Sequence, residues 1–248
     1  MSEPDVTPKL LILIPARSGS TRIPGKNIRR LAGHPLIAYA IATANHSKIA
    51  AAVVVSTDST EIAKVATDYG AEVPFLRPIE FATSISPDIE WVSFTLKKLE
   101  ELGRKYDCFS ILRPTSPFRQ VPTVWRAYKQ FLETPGVDSL RAVERCKQHP
   151  GKMWVLKDGR MLPLLPFAIE NVPWHSCQYQ SLPEIYVQNA SLEIAWSRVV
   201  FETHTISGST IAPFFTEGVE GFDLNYEEDW ALAERLIADG TATLPDVL

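Results

Sequence analysis

A chain of 248 residues, 45% of them hydrophobic, can bury one full core, as a single large domain or a domain with an excursion. The formal net charge of −4, without a polybasic stretch, argues against a general binder of nucleic acid. No apolar run approaches the ~18 residues of a membrane-spanning helix, and Met1-Ser2-Glu3-Pro4-Asp5 is acidic rather than signal-like, so no membrane association is expected.

In chain order, Leu10–Ala16 reads as a buried strand and Pro35–Asn45 as a helix whose proline suits the first turn. Ala51–Thr57 is a second apolar, β-branched run. A helix over Thr60–Tyr69 follows, capped by Ser59, with Ile62, Val65 and Ala66 as its apolar stripe and Gly70 as its stop. Val73–Leu76 is expected as a short strand or extended piece. Asp88 is expected to cap an amphipathic helix over Ile89–Tyr106, in which Val92, Leu96, Leu99 and Leu102 fall at helical spacing. Trp91 lies at the edge of that stripe and Phe94 fits it less well, and both read as core aromatics. Cys108–Leu112 is another buried strand and Thr123–Leu132 another helix.

Past about residue 140 the rhythm changes, and Gly151–Trp174 is rich in prolines and aromatics without helical period. Strand character returns at Ile185–Trp196 and Ile211–Phe215, and Glu227–Ala238 is a final helix. Asn225 and Glu228, three apart, read as a capping box for that helix. The expected fold is α/β, a doubly wound, mostly parallel (mixed) sheet. Residues 1–248 form one domain, with an extended arm or insertion at about 141–195. Cys108, Cys146 and Cys177 are odd in number and widely spaced, fitting neither a zinc motif nor a disulfide framework, so reduced thiols in the cytoplasm are expected.

The most informative segment is the loop after the first strand, Ala16-Arg17-Ser18-Gly19 through Lys26-Asn27. Gly19 permits a tight turn and close approach of the backbone to an anion. Arg17, Arg22 and Lys26 add positive charge, and arginine can hold two phosphate oxygens together. This is not the ATPase loop. Five residues separate Gly19 from Gly25, and Asn27 follows the lysine where a magnesium-holding Ser or Thr would be needed. Nor does a dinucleotide Gly-x-Gly-x-x-Gly occur. The loop, the Ser56-Thr57-Asp58 tip and the Arg113-Pro114-Thr115-Ser116 tip all follow predicted strands, so they should share the ligand-binding rim of the sheet.

Five segments in order carry a family resemblance: the loop itself, Val53-Val54-Val55-Ser56-Thr57-Asp58, Gly70-Ala71-Glu72-Val73-Pro74-Phe75-Leu76-Arg77-Pro78, Leu112-Arg113-Pro114-Thr115-Ser116-Pro117-Phe118-Arg119, and Gly221-Phe222-Asp223-Leu224-Asn225 leading to Glu228-Asp229-Trp230. Together the chain resembles the cytidylyltransferases that activate sialic acids and related nine-carbon acids. The resemblance implies a sheet of the nucleotide-sugar transferase type. It also implies CTP and a sugar acid as substrates, Mg²⁺ as cofactor, and a homodimer in which the arm packs on a second copy; by composition alone that region could equally be an insertion covering the sheet. It makes Arg17 and Lys26 the phosphate-binding, catalytic cations, with Ala16, Ser18, Gly19, Asn27 and Arg77 in the nucleotide site. Arg113, Gln188 and Asn189 fall to the acceptor, and Asp223 and Asn225 to the metal.

Three departures bear on those roles. The family commonly has a second Asp where this chain has Asn225, and an amide oxygen can ligate magnesium but brings no charge. Sialic-acid members usually have Gln where this chain has Arg113, which favours a more anionic or differently oriented acceptor. They also tend to carry Asn-Gly where this chain reads Gln188-Asn189-Ala190-Ser191-Leu192-Glu193. Two other readings stay open. One is a nucleotidyltransferase for an eight-carbon acid or a sugar-1-phosphate; the other is a degenerate nucleotide or sugar sensor. Asp58 reads as a turn or helix-start anion or as a direct ligand, Arg77 as a nucleotide contact or a partner of Glu72 or Glu80. His149 and His175 read as satisfied histidines.

Overall fold

The computed structural model describes residues 7–247; the acidic start Met1–Asp5 lies outside them. The apolar run after Lys9 forms β1 (Leu10–Pro15), and Leu10 through Ile14 are all 0% exposed. A strand buried on both faces needs cover on both, and parallel sheets supply it through crossover helices. The chain continues through a small hairpin, β2 (Arg30–Leu31) and β3 (His34–Pro35), into α1 (Leu36–Ser47). Next come β4 (Ala50–Ser56), α2 (Thr60–Asp68), α3 (Asp88–Glu101), β5 (Cys108–Ile111) and α4 (Val121–Glu133). They are followed by β6 (Ser139–Arg145), the hairpin of β7 (Trp154–Lys157) and β8 (Arg160–Pro163), and the short pair β9 (Ala168–Ile169) and β10 (Val172–Pro173). The chain ends with β11 (Tyr186–Trp196), α5 (Ser197–Glu202), β12 (Ile211–Phe215) and α6 (Glu227–Ala238).

The central sheet has the order β12-β6-β11-β5-β1-β4. β1 is parallel to both β4 and β5, and β11 runs antiparallel to β5 with Glu193 opposite Ile111. Alternate side chains of β1 serve opposite layers, as strand geometry requires. Leu10, Ile12 and Ile14 pack with Ile37 and Ile41 of α1 and Val124 and Phe131 of α4. Leu11 and Leu13 pack with Trp91, Val92, Leu96 and Leu99 of α3. A third cluster joins Ile23 of the loop to Leu224, Trp230 and Ala233, so the cationic loop is anchored on the last helix.

Contacts divide the chain into two compact units. One contains the residues up to Ala142 and from Asn189 onward, and the other is Val143–Gln188. Among the described residues no helix is long and apolar enough to cross a membrane. All three cysteines are free, and burial pushes the Cys108 thiol up to about 12, which makes it unreactive.

Several local expectations are corrected. Pro87, not Asp88, is the residue that precedes α3; the Asp88 carboxylate accepts from Trp91 Nε1 and Arg113 Nη2 instead of capping backbone N–H groups. That helix ends at Glu101 because Gly103 takes φ +76°, which leaves Leu102 59% exposed. Trp91, by contrast, is buried as expected of a core aromatic. Of the two readings of Val73–Leu76, the strand is excluded, and the sheet contact there is a single bridge from Val54 to Glu72. β6 was not anticipated. Pro35 sits just ahead of α1 and closes the β2–β3 hairpin. The cap of α6 is shifted by one: the Asp229 carboxylate accepts from the N–H groups of Asn225 and Tyr226, both at 2.8 Å, and Glu228 has no part in it.

Candidate active site

The loop after β1 is held in place from three directions. The Ala16 N–H donates to Ser56 O at 2.9 Å, continuing the β1–β4 ladder by one residue. Ser18 donates to Asp58 at the end of β4, both from its N–H at 2.8 Å and from its hydroxyl at 2.5 Å. Asn27 Nδ2 donates to Arg17 O at 3.1 Å, and Asn27 O accepts from the first turn of α1 through Ile37 N at 2.9 Å. Gly25, at φ +65°, makes the turn that returns the chain to Lys26.

Lys26 Nζ donates to Leu224 O at 2.9 Å. Burial lowers its pKa, with Arg22 and Arg17 adding to the effect, while Asp223 and Asp229 oppose it. Thus the loop cations and the acidic segment near the C-terminus meet in one place. Arg22 Nη1 donates to Asn225 Oδ1 at 3.2 Å and its guanidinium lies over the Tyr226 ring. Asn225 Nδ2 in turn donates to Asp223 Oδ2 at 2.5 Å. Asp223 Oδ1 is buried and has no partner among the described residues. A third tip closes the cluster, because Leu224 N donates to Thr115 O at 2.9 Å. The three strand-end tips therefore do share one rim.

Arg77 does not take the alternative of pairing with Glu72 or Glu80. Its Nε donates to Ser56 Oγ at 3.0 Å and its Nη2 to Ser56 O at 2.8 Å, with the guanidinium stacked on Trp91. Burial lowers its pKa to about 10, although Asp58 and Asp88 oppose the shift. Glu72 pairs with Arg104 instead.

Arg113 follows β5 and does not present a lone charge. Its Nη2 contacts Asp88 Oδ2 at 2.5 Å and Glu193 Oε1 at 2.9 Å, and Glu193 Oε2 pairs with Arg141 Nη1 at 2.8 Å. Burial opposes the charge on Arg113, but Asp88 and Glu193 more than offset it and hold its pKa above the ordinary arginine value. Burial also raises Asp88, which Arg113 outweighs, leaving the carboxyl below its usual range. Beneath this chain of charges Arg119 is 1% exposed and donates to the carbonyls of Arg113 and Ser191, so it ties the Pro-Thr-Ser-Pro segment to β11. Burial without a counter-ion lowers the Arg119 pKa to about 9. Sequence reasoning missed Asp88, Arg141 and Glu193 as members of this chain; charged residues inside otherwise apolar strands, Arg141 in β6 and Glu193 in β11, were the available signal.

The remaining assignments separate. Asn189, in the first unit, donates to Thr216 Oγ1 at 2.8 Å and accepts from Ser191 N. Gln188 belongs to the second unit and is exposed. His149 is satisfied, with Nδ1 accepting from Gly151 N and Nε2 against Pro183 O, both at 3.0 Å. A cavity of about 720 Å³ lined by Pro8, Tyr106, Asp107, Trp196 and Phe201 lies at the opposite end of the strands, where β1 and β5 begin and β11 ends. It is remote from this chemistry.

Among the described residues no three His, Cys, Asp or Glu side chains gather as a ready cation site. The unpartnered Asp223 oxygen nevertheless suits a hard, oxygen-bound divalent ion whose other ligands come from phosphates and water. The second expected ligand, Asn225, is engaged by Arg22 and Asp223.

Comparison with known proteins places these features in context. A family pattern described as Cytidylyltransferase matches residues 11–83, which include the loop, Asp58 and Arg77. A CMP-N,N'-diacetyllegionaminic acid synthase of Legionella pneumophila is 34% identical over 235 residues, covering 92% of this chain and 96% of that protein. An N-acylneuraminate cytidylyltransferase of Escherichia coli is 37% identical over 225 residues, covering 91% of this chain and 51% of that protein. Among solved structures, a CMP:2-keto-3-deoxy-manno-octonic acid synthetase complexed with CTP superposes with a TM-score of 0.67 at 16% identity, covering 94% of this chain and 99% of that one. At that identity the likeness supports the fold.

Proposed function

The chain belongs to the sialic-acid-like cytidylyltransferase family, and we propose that it couples CTP to a nine-carbon 2-keto sugar acid by single displacement. The acceptor's anomeric hydroxyl attacks the α-phosphorus of CTP. A bond from that oxygen to phosphorus forms, the bond to the bridging oxygen of pyrophosphate breaks, and the hydroxyl proton is released. The observation that carries this reading is the meeting of the loop cations with Asp223, joined by Lys26 Nζ to Leu224 O at 2.9 Å. Such a reaction needs positioning and cations on the phosphate chain more than covalent help. Arg17 and Lys26 stabilise the departing pyrophosphate. Arg77, locked on Ser56, fixes the floor of the nucleotide site. Arg113, its charge balanced by Asp88 and Glu193, serves the acceptor as an oriented hydrogen-bond donor rather than as a free carboxylate partner.

Asp223 would hold Mg²⁺ together with the nucleotide. When bound, the ion supplies charge neutralisation on phosphate oxygens. Asn225 acts on Asp223 rather than on the ion. Exchanging Asn225→Asp adds a second carboxylate, so binding of Mn²⁺ in the presence of CTP should tighten by about tenfold, given how strongly ligand charge tunes such sites. Electron paramagnetic resonance titration measures it; unchanged affinity would contradict the placement of the ion at Asp223.

The second unit exposes Trp154, Val155, Leu156, Met161 and Leu162 on the β7–β8 hairpin, an apolar face that suits burial against a second copy. Sedimentation should give twice the 27.7 kDa of one chain; a monomer would remove this part. A cytoplasmic setting fits the three free thiols.

The test of the reaction is pyrophosphate release with CTP, UTP, GTP or ATP and a panel of nine-carbon and eight-carbon sugar acids. Turnover with CTP and a nine-carbon acid is expected, and preference for another base or for an eight-carbon acid would overturn the assignment.

A further inference from the structure

We propose that Asp58 is the positioning residue of the phosphate loop, holding Ser18 through two hydrogen bonds so that Arg17 and Gly19 keep their nucleotide-binding arrangement. The inference rests on the CTP reading above and names a role for Asp58 that the reaction itself does not require.

The bland roles for Asp58 are already filled by its neighbours. Ser59 caps α2, its hydroxyl accepting from Ile62 N at 3.3 Å. Thr57 Oγ1 accepts from Ser59 N at 3.1 Å and shapes the turn. The Asp58 carboxylate is engaged elsewhere: Oδ1 with Ser18 N and Oδ2 with Ser18 Oγ, a residue 40 positions earlier in the chain. Charge-assisted bonds of this kind are short and directional, and two of them on one residue fix its orientation.

Ser18 is also the pivot of the turn, since its carbonyl accepts from Ser20 N at 2.8 Å. On one side lies Arg17, whose carbonyl is held by Asn27. On the other lies Gly19, which has no side chain to limit its backbone. An unclamped glycine turn between cations would sample many conformations, and ordering it would weaken nucleotide binding. Ser18 therefore contributes through Asp58, because its N–H and hydroxyl both point at that carboxylate. Asp58 also places an anion beside Arg77, with which Arg17 interacts unfavourably.

A ground-state positioning role predicts a particular kinetic pattern. Asp58→Asn should raise KM for CTP about tenfold and leave kcat within about threefold, the signature of lost uniform binding. Its thermal midpoint should stay within a few degrees of wild type. Ser18→Ala, a change at an exposed loop residue, should raise KM by a smaller factor. In the double variant Ser18→Ala should add nothing, because the partner is already lost. Calorimetric titration with CTP, without acceptor, should reproduce the same order of affinities. Wild-type KM in Asp58→Asn, or full additivity in the cycle, overturns the clamp. A fall in kcat with unchanged KM would overturn it too. Wild-type protein that fails to bind CTP overturns the functional reading and this inference with it.

Discussion

Lys26→Ala is expected to lower turnover by about two to three decades, the usual cost of removing one preorganised cation from a reacting phosphate chain. The geometry explains why a single lysine carries so much. Lys26 is partly buried, donates to Leu224 O at 2.9 Å, and faces Asp223 across the site. In a partly desolvated cleft its charge is worth more than in water. The same burial sets a pH dependence. Desolvation lowers the Lys26 pKa, so its charge is lost at a lower pH than the ~10.4 of an unperturbed lysine. Turnover should therefore fall earlier on the alkaline side, and Lys26→Arg should move that limb upward. For stability, the folded chain holds this proton less tightly than the unfolded chain. The residue thus costs stability at neutral pH, and the cost shrinks as pH rises. A Lys26→Ala enzyme with near-wild-type kcat would place phosphate stabilisation elsewhere in the loop.

Glu193→Ala carries the largest expected effect on stability, a loss of about 3–5 kcal/mol, because deleting one member of a buried ion chain strands its partners. Glu193 is 6% exposed and bridges Arg113 at 2.9 Å to Arg141 at 2.8 Å. With the carboxylate gone, Arg141 loses its ion-pair partner, and Arg113 is left with Asp88 alone. Urea unfolding should show a lower midpoint at unchanged slope. A loss below about 1 kcal/mol would mean that the chain of charges behaves as a solvated surface pair. Asp88 gives the acid limb of the same network. Arg113 outweighs burial and holds its folded-state pKa below the unfolded value of ~3.9. That stabilisation is complete above the unfolded value and is lost as pH falls through the depressed one. Asp88→Asn should remove this part of the acid sensitivity.

How much of this was legible in the sequence depended on the range of the interactions. β1 showed itself because five consecutive apolar residues must be buried on both faces, and that alone implies helices on either side. The rim followed, since parallel strands bring their following loops to one end. The Ser59 cap was local and was found. β6 was hidden because Arg141, Glu144 and Arg145 interrupt its apolar pattern, and Arg141 is tolerated there only through its pairing with Glu193. Asp88 resembled a helix cap in sequence, yet its carboxylate turns toward Arg113, 25 residues on in the loop after β5. Asn225 resembled the start of a capping box, but its side chain is drawn to Arg22 and Asp223, leaving Asp229 to satisfy the helix start. Arg113 was read as an acceptor cation because its two carboxylate partners come from distant segments. In each case the residue types were visible and the long-range partner was not.

The central claim is attack by the acceptor's anomeric oxygen on the α-phosphorus of CTP. It is tested most directly by supplying a nine-carbon 2-keto acid labelled with ¹⁸O at that hydroxyl and weighing the products. The account predicts a CMP-sugar that retains the label, with unlabelled pyrophosphate released in equal amount. Label in a phosphate product, a CDP- or CTP-linked sugar, or no CMP-sugar with any nine-carbon acid would contradict it.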